Sequence, residues 1–425
     1  MIDKLKEYLK THKYFLFLLI FFVIMLPLTI SMPAQTDTRA IVTGISIDKK
    51  DDNFNIGLQL ISPKSNISSN ENLQIVEDDG SSLYNCISNL SIKLGKIIGF
   101  EHANIIILGE GIIGEDVMNI LDYLYRNHKI TMSAIVLQCK GKAKDLLESS
   151  AELNNNSSSS LQNNLGFNNN IVETASATTL GAFFNDYFSF SGTSLISVIE
   201  TPDKNENNQD ASSGGDSSGG GTSQESGQGG SGGGGSSQGS TVEPLVKNNG
   251  EGAVYKNGKF IEIISKDLTK GFSWAKEHAN KGFVKVENIT DKKYYNNSTV
   301  TIKVENTQTK IQSRVNKNEL IMNVKLNIFC NVAEILDNTK KSPKIVELNE
   351  NYLTPTLCEK IKEKISNLVE DSLNYSKEKN LDVFKFYDRF YKHNNKEFKK
   401  VLEKYGEDYL KQCRINMEIE VYQYK

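Results

Sequence analysis

Apolar and polar residues alternate along two stretches near the start of the chain. Ile41, Thr43, Ile45 and Ile47 share one face of a predicted strand, and Phe54, Ile56, Leu58 and Leu60 share one face of the next. Between them Lys49-Lys50-Asp51-Asp52-Asn53 supplies turn chemistry, so the pair reads as a hairpin. The acidic pair lacks the glycine and the distal glutamate of a calcium loop and reads as a solvated turn. Ser81–Leu94 is predicted as a helix that ends near Gly95. Asn104–Leu108 is a short apolar run, typical of a buried strand. Val117, Ile120, Leu121 and Leu124 fall on one helical face. Thr131–Gln138 reads as a further strand and Ala143–Glu148 as a short helix. Strands alternating with helices predict a mixed α/β region whose sheet is at least partly parallel.

The later part of the chain has a different rhythm. Leu320, Met322, Val324, Leu326, Ile328, Cys330 and Val332 hold one face, while Asn323, Lys325, Asn327 and Asn331 hold the other. Val300, Ile302 and Val304 predict a neighbouring strand, and Ile415, Met417, Ile419 and Val421 a terminal one. Strict alternation implies a sheet with one wet face, hence mostly antiparallel. Between these strands, Thr354-Pro355 has the form of an N-cap followed by proline at the first helical position. Leu357, Ile361, Ile365 and Leu368 form the stripe of that helix, and further helices are expected over about Val383–Tyr391 and Asn395–Leu410. This half reads as α+β with long helices.

Two polar tracts interrupt the pattern. Asn154–Asn170 is nearly all Asn and Ser, and an apolar island, Ile171–Ile199, follows it. Residues 202–241 are mostly Gly, Ser, Asn, Asp and Gln, a composition with too little apolar surface to order itself. A Gly/Ser coil of ~45 residues has an r.m.s. reach of roughly 35–40 Å. These glycines do not form a phosphate loop, because no GxxxxGK[ST] occurs.

The longest uninterrupted apolar run, Tyr14–Ile30, sets the compartment. It carries no charge and follows Lys4, Lys6, Lys10 and Lys13. As a helix it spans roughly 26 Å, and snorkelling lysines extend its reach toward the ~30 Å hydrocarbon core. The basic flank predicts a cytoplasmic N-terminus and an extracytoplasmic body. Pro27 falls one turn from the outer end, where a break is tolerated. A cleaved signal peptide is the competing reading, with Thr29-Ile30-Ser31 and Met32-Pro33-Ala34 as poor cleavage sites. The first cysteine is Cys86, so no lipobox follows the apolar run.

Composition narrows the function classes. The 425 residues carry a net charge of −3, and no basic stripe interleaves with aromatics, which argues against nucleic-acid binding. Cys86, Cys139, Cys330, Cys358 and Cys413 are widely spaced and form no CxxC pair, which excludes a zinc ribbon. They read as small buried hydrophobes, although an oxidising compartment permits one disulfide. Of His12, His102, His128, His278 and His393, none lies in HExxH, and no G-x-S-x-G occurs. His102, just before an apolar strand, is the best candidate for a functional imidazole; a hydrogen-bonded histidine at a strand edge is the plainer account. Glu101-His102-Ala103-Asn104 recurs as Glu277-His278-Ala279-Asn280 without a second ligand pair. Trp274 reads as core, with an interface anchor as the alternative. The cluster Phe384, Phe386, Tyr387, Phe390 and Tyr391 reads as helix-to-sheet packing, with a partner-facing surface as the alternative. Asn66, Asn89 and Asn288 head N-x-[ST] triplets of no expected consequence. No catalytic, cofactor-binding or metal-binding residue is assigned.

Several blocks, taken in order, resemble the C subunits of spore germinant receptors, the Ger(x)C family. They are Thr38–Asp48, ending in Gly44-Ile45-Ser46-Ile47-Asp48; Gly99–Glu110, in which His102 precedes a strand closed by Gly109-Glu110; the helix ending Leu124-Tyr125-Arg126; Gly141-Lys142-Ala143-Lys144-Asp145-Leu146-Leu147; Glu251–Lys259; and Leu381-Asp382-Val383-Phe384. The resemblance runs from about residue 38 to 425. Family members usually carry a lipobox cysteine, which this chain lacks, and the insert at 202–246 is unusually long.

The resemblance implies an outward-facing, non-catalytic accessory subunit of a nutrient-sensing complex. Its implied neighbours are a transporter-like multi-span membrane subunit and a second membrane subunit; direct contact with nutrient stays open. The expected organisation is a cytoplasmic basic tail (1–13), a transmembrane anchor (14–32), an α/β domain (36–200), a disordered insert (201–246) and an α+β domain (247–425). Two rival readings remain: a tethered envelope adhesion or solute-binding protein, and a surface hydrolase using His102 or His128 beside a carboxylate.

Overall fold

In the computed structural model the described residues are 39–61, 73–126, 130–153, 178–201, 248–275, 281–291, 293–339, 342–344 and 352–424, with Tyr14, Phe17, Phe21 and Phe22. The rest of the predicted anchor, the tract 154–170, the insert 202–246, His12, Asn66, His128 and His278 lie outside them. Among the described residues no helix is long and apolar enough to cross a membrane.

The predicted hairpin forms as β1 (Arg39–Lys50) and β2 (Asn53–Ile61), with Lys50 opposite Asn53 and Asp51 in the left-handed region. Its facing differs from strict alternation. A bulge between Val42 and Gly44 leaves Thr43 as the extra residue and turns the strand over. The main core therefore takes Ala40, Val42, Ile45 and Ile47, in place of Ile41 and Thr43. The Thr43 hydroxyl instead lies 3.0 Å from Gln59 Oε1.

β3 (Leu73–Gly80) leads into α1 (Leu83–Leu94), whose N-terminus is capped by Ser82 accepting from the Asn85 N–H. Gly95, at φ 60°, closes the helix: its N–H donates to Ile92 O, and that of Lys96 to Ser91 O. Then come β4 (Ile97–Gly99), β5 (Ile105–Leu108), α2 (Val117–Arg126), β6 (Ile135–Lys140) and α3 (Ala143–Leu153). β6 starts later than predicted because Thr131–Ala134 is a turn, closed by the Ala134 N–H donating to Thr131 O. β7 (Thr178–Thr179), α4 (Leu180–Phe188), β8 (Thr193–Glu200), β9 (Gly252–Lys256) and β10 (Lys259–Ile264) complete the first sheet.

That sheet runs β10-β9-β8-β6-β5-β1-β2-β3, with β4 beside β1 and β7 beside β6. Its centre, β8-β6-β5-β1, is parallel, and both flanks are antiparallel. Helices α1, α2 and α4 pack on one face and α3 on the other. β9 and β10 lie beyond the polar insert in sequence, yet they pair with β8.

The second sheet is built from β11 (Gly282–Ile289), β12 (Ser298–Asn316), β13 (Glu319–Asp337), β14 (Ser342–Lys344) and β15 (Cys413–Gln423). It is antiparallel along β11-β12-β13-β14, while β15 pairs with β13 in parallel. One face is wet, as the alternation predicts. Helices α5 (Lys266–Trp274), α6 (Pro355–Lys379), α7 (Phe386–His393) and α8 (Asn395–Tyr405) belong to this half. Thr354 caps α6 by accepting from the Leu357 N–H, and Leu357, Ile361, Ile365 and Leu368 are buried against the sheet. The last predicted helix stops at Gly406, after which Gly406–Gln412 is a 3₁₀ segment.

The two sheets meet through a small core of Leu195, Val254 and Ile264 from the first and Phe272, Leu381 and Val383 from the second half. Beside it, Lys385 donates to Thr193 O at 2.7 Å and pairs with Asp186 at 2.5 Å. Phe190 stacks on Tyr387 with ring centroids 4.1 Å apart.

Candidate functional site

Three of the sequence blocks converge at the C-terminal ends of the parallel strands β1, β5 and β6. In open α/β sheets this is where crevices form. Asp48 lies near the end of β1, and its carboxylate accepts from the Ala143 N–H at 3.2 Å and the Lys144 N–H at 3.3 Å, the first turn of α3. It therefore occupies the positive end of that helix itself. Burial pushes the Asp48 carboxyl above its ordinary value, against the lowering by these two N–H groups.

The glycines of the neighbouring blocks give the carboxylate and backbone room. A Cβ on Gly109 would fall 1.7 Å from Asp48 Oδ1, and one on Gly111 would fall 2.2 Å from Lys49 O. The Gly109 N–H donates to Ile47 O, and the Glu110 N–H to Gly141 O. Beneath them runs a buried polar chain. Tyr255 donates to Gln138 Oε1 at 2.6 Å, and Gln138 Nε2 donates to Gly109 O at 3.2 Å and Cys139 O at 3.1 Å. Tyr255 comes from the fifth block, beyond the insert, so this hydrogen-bonded chain ties that block to the strand ends.

Above these ends is a cleft of about 680 Å³ lined by Asp48, Lys49, Glu77, Glu110, Lys142 and Asp145, among others. Its charges largely satisfy one another. Lys49 pairs with Glu115 at 2.7 Å, and Lys144 with Glu77 at 2.8 Å and Glu148 at 3.4 Å. Among the described residues no group of three His, Cys, Asp or Glu is placed to hold a metal. The cleft offers neither a nucleophile beside a base nor a concentrated field.

The sixth block lies elsewhere, at the junction of the sheets. Asp382 is 1% exposed. It accepts from the Phe386 N–H at 2.8 Å, the Tyr387 N–H at 2.8 Å and the Tyr409 hydroxyl at 2.7 Å. Burial raises its carboxyl above the ordinary value in spite of these donors. Asp382 thus holds the first turn of α7 and the 3₁₀ segment together, and Lys385, in the left-handed region, reaches across to the first sheet. This is an architectural role.

The remaining sequence candidates fall apart in space. His102 and His393 are exposed. Trp274 is 1% exposed and belongs to the second core. Phe386, Tyr387 and Phe390 are buried and Tyr391 is exposed, so the aromatic cluster packs on the sheet, with one ring outside. All five cysteines are free. Burial pushes the thiols of Cys139 and Cys330 up to about 12 and that of Cys86 up to about 11, which makes them poor nucleophiles. Asn89 and Asn288 are exposed. Gln138 and Tyr255 were not singled out as polar partners from sequence. A lone amide inside the apolar run Ile135–Cys139 was the available signal.

Residues 34–201 match the family described as "Spore germination protein N-terminal domain", and residues 250–422 match "Spore germination B3/ GerAC like, C-terminal". No curated protein sequence matches. Among solved structures, "Crystal Structure of the GerBC protein" is similar to this fold at a TM-score of 0.50 and 14% identity, over 90% of this chain and 97% of that one. With both halves matched in order, the chain belongs to the GerAC-like family of spore germination proteins, the C subunits of germinant receptors.

Proposed function

We propose that this protein is the non-catalytic, membrane-anchored extracytoplasmic subunit of a nutrient germinant receptor and acts in spore germination by protein–protein assembly. Family membership across both halves is the observation that carries this reading. The blocks that define the resemblance support it, since they cap helices and tie strand ends together.

In this reading residues 1–13 are a cytoplasmic tail and 14–32 span the membrane. Residues 36–200 and 247–425 form the outward body, with 252–264 returning to complete the first sheet, and 201–246 form a disordered insert. Tyr14, Phe17, Phe21 and Phe22 are helical and 54–78% exposed, left for lipid to cover. The partners are a transporter-like multi-span subunit and a second membrane subunit. The test is purification of the tagged full chain from spore membranes. Recovery with two membrane proteins, one of them multi-span, is expected. Recovery alone, or normal nutrient germination after deletion in a strain lacking paralogues, would sink the reading.

A further inference from the structure

Arg39 is the first residue of β1, and the length of chain before it limits which end of the body can approach the bilayer. If 14–32 span the membrane, six residues separate the span from Arg39. Fully extended, they and their flanking links reach at most about 25 Å. β1 runs for twelve residues, about 40 Å, away from that point. The turn at Asp51-Asp52 and the strand-end cleft stand at the far end of β1, beyond the reach of this tether. The end that holds Arg39 is the one kept near lipid.

That end carries exposed apolar side chains. β4 lies parallel to β1 with Ile97 directly opposite Arg39. Ile97 is 59% exposed, and Ile92, in the last turn of α1 just before it, is 80% exposed. Met132, in the turn that leads into β6 at the same end of the sheet, is 38% exposed. Single exposed apolar residues are ordinary. Two isoleucines flanking one tight helix stop, beside the attachment point of a short membrane tether, are a placement that lipid explains. The basic groups beside them are Arg39, which also contacts Glu101 at 3.5 Å, and half-buried Lys96.

We infer that the end of the first sheet formed by Arg39, Ile92, Lys96 and Ile97 rests on an anionic bilayer. The isoleucines sit among the headgroups, and the basic rim faces the lipid phosphates. The strand-end cleft then faces away from the membrane. This inference rests on the anchored reading above, and the experiment separates the two.

The chain has one tryptophan, Trp274, which is 1% exposed and gives a constant background that the brominated lipid does not reach. Full-length Ile97→Trp and, separately, Ile92→Trp are reconstituted in phosphatidylcholine–phosphatidylglycerol vesicles with or without brominated acyl chains. Asp52→Trp, at the far end, is the control. Each engineered tryptophan near Arg39 is expected to shift to the blue and to lose intensity in brominated vesicles, while the control does neither. Both isoleucine positions are exposed, so either variant alone suffices if the other folds poorly. Flotation of the unsubstituted chain with vesicles reports the anchor by itself. If it floats but neither tryptophan is quenched, the inference falls and the anchor stands. If it does not float, both fall. Equal quenching of Asp52→Trp overturns the orientation. Unquenched tryptophans together with an Ile97→Glu variant that no longer co-purifies with a multi-span subunit would make this a protein interface instead, and the lipid contact would be wrong.

Discussion

In the first sheet β5 buries every residue and β8 all but its last, whereas in the second β13 buries alternate residues over most of its length. The difference follows from what covers each sheet. Helices lie on both faces of the parallel centre, while the second sheet is covered on one face and open to water on the other. A sheet buried on both faces must satisfy its polar groups internally. Three of them show how: Asp48 on the first turn of α3, Gln138 between Gly109 and Tyr255, Thr43 on Gln59. The open face carries many polar groups whose alternative partner is water. A polar substitution should therefore cost much more where the structure is dry than where it is wet.

The largest effect is expected at the junction between the two regions. Asp382→Ala removes a fully buried acceptor and leaves the Phe386 N–H, the Tyr387 N–H and the Tyr409 hydroxyl unpaired. A loss of about 3–5 kcal/mol in urea-unfolding free energy is expected. A loss well below that range would mean that water reaches the site and the junction is looser than the geometry indicates. Next in size is Tyr255→Phe, which strands Gln138 Oε1 in the dry sheet. About 1–3 kcal/mol should be lost. Pairing it with Gln138→Leu should recover part of the loss, because both polar partners then disappear. Strict additivity of the two changes would break the proposed chain.

How far these regions could be read from sequence follows the same contrast. The wet sheet was legible: Leu320–Val332 alternates, Thr354-Pro355 opens its helix as expected, and the apolar stripe of α6 is the buried one. The parallel pairing of β15 with β13 was not, since alternation does not encode strand direction. In the dry sheet the existence of β5 and α2 was legible from apolar runs. Which face Ile41 and Thr43 take was not, because one bulged residue inverts the facing and leaves no compositional mark. Neither was the return of β9 and β10 to the first sheet, because nothing local to Gly252–Lys256 names β8 as its partner across the insert. Of the candidate site, the blocks ending at Asp48, Glu110 and Leu147 were visible as separate motifs. Their meeting at one end of the sheet depends on parallel register, which only the folded chain supplies.

A pH measurement sharpens the dry side. Burial raises the Asp48 carboxyl in the folded state above its unfolded value. A raised carboxyl contributes stability that is complete below the unfolded value and is lost as pH rises through the folded one. Asp48→Asn has no such dependence. The stability of Asp48→Asn relative to the unsubstituted chain should therefore improve as pH rises above the ordinary carboxyl value of about 4. If it worsens over that window, the hydrogen bonds from Ala143 and Lys144 outweigh desolvation, and the carboxylate is the form the fold prefers.

The smallest effect is expected on the wet face, and it is the control for the whole contrast. Lys325 pairs with Glu418 at 2.9 Å and with Glu420 at 3.7 Å, so by contact count alone it would rank beside the buried partners. The hydrogen bond and charge of Glu418 raise the proton affinity of Lys325, yet the ammonium faces solvent and its competitor for each bond is water. Holding two long side chains in one arrangement costs rotamer freedom that the screened attraction barely offsets. Lys325→Ala should leave the urea midpoint unchanged within error, at low and at high salt. A clear loss that disappears with added salt would show that charge on this face stabilises the sheet, and the division between a costly dry region and a tolerant wet one would not hold.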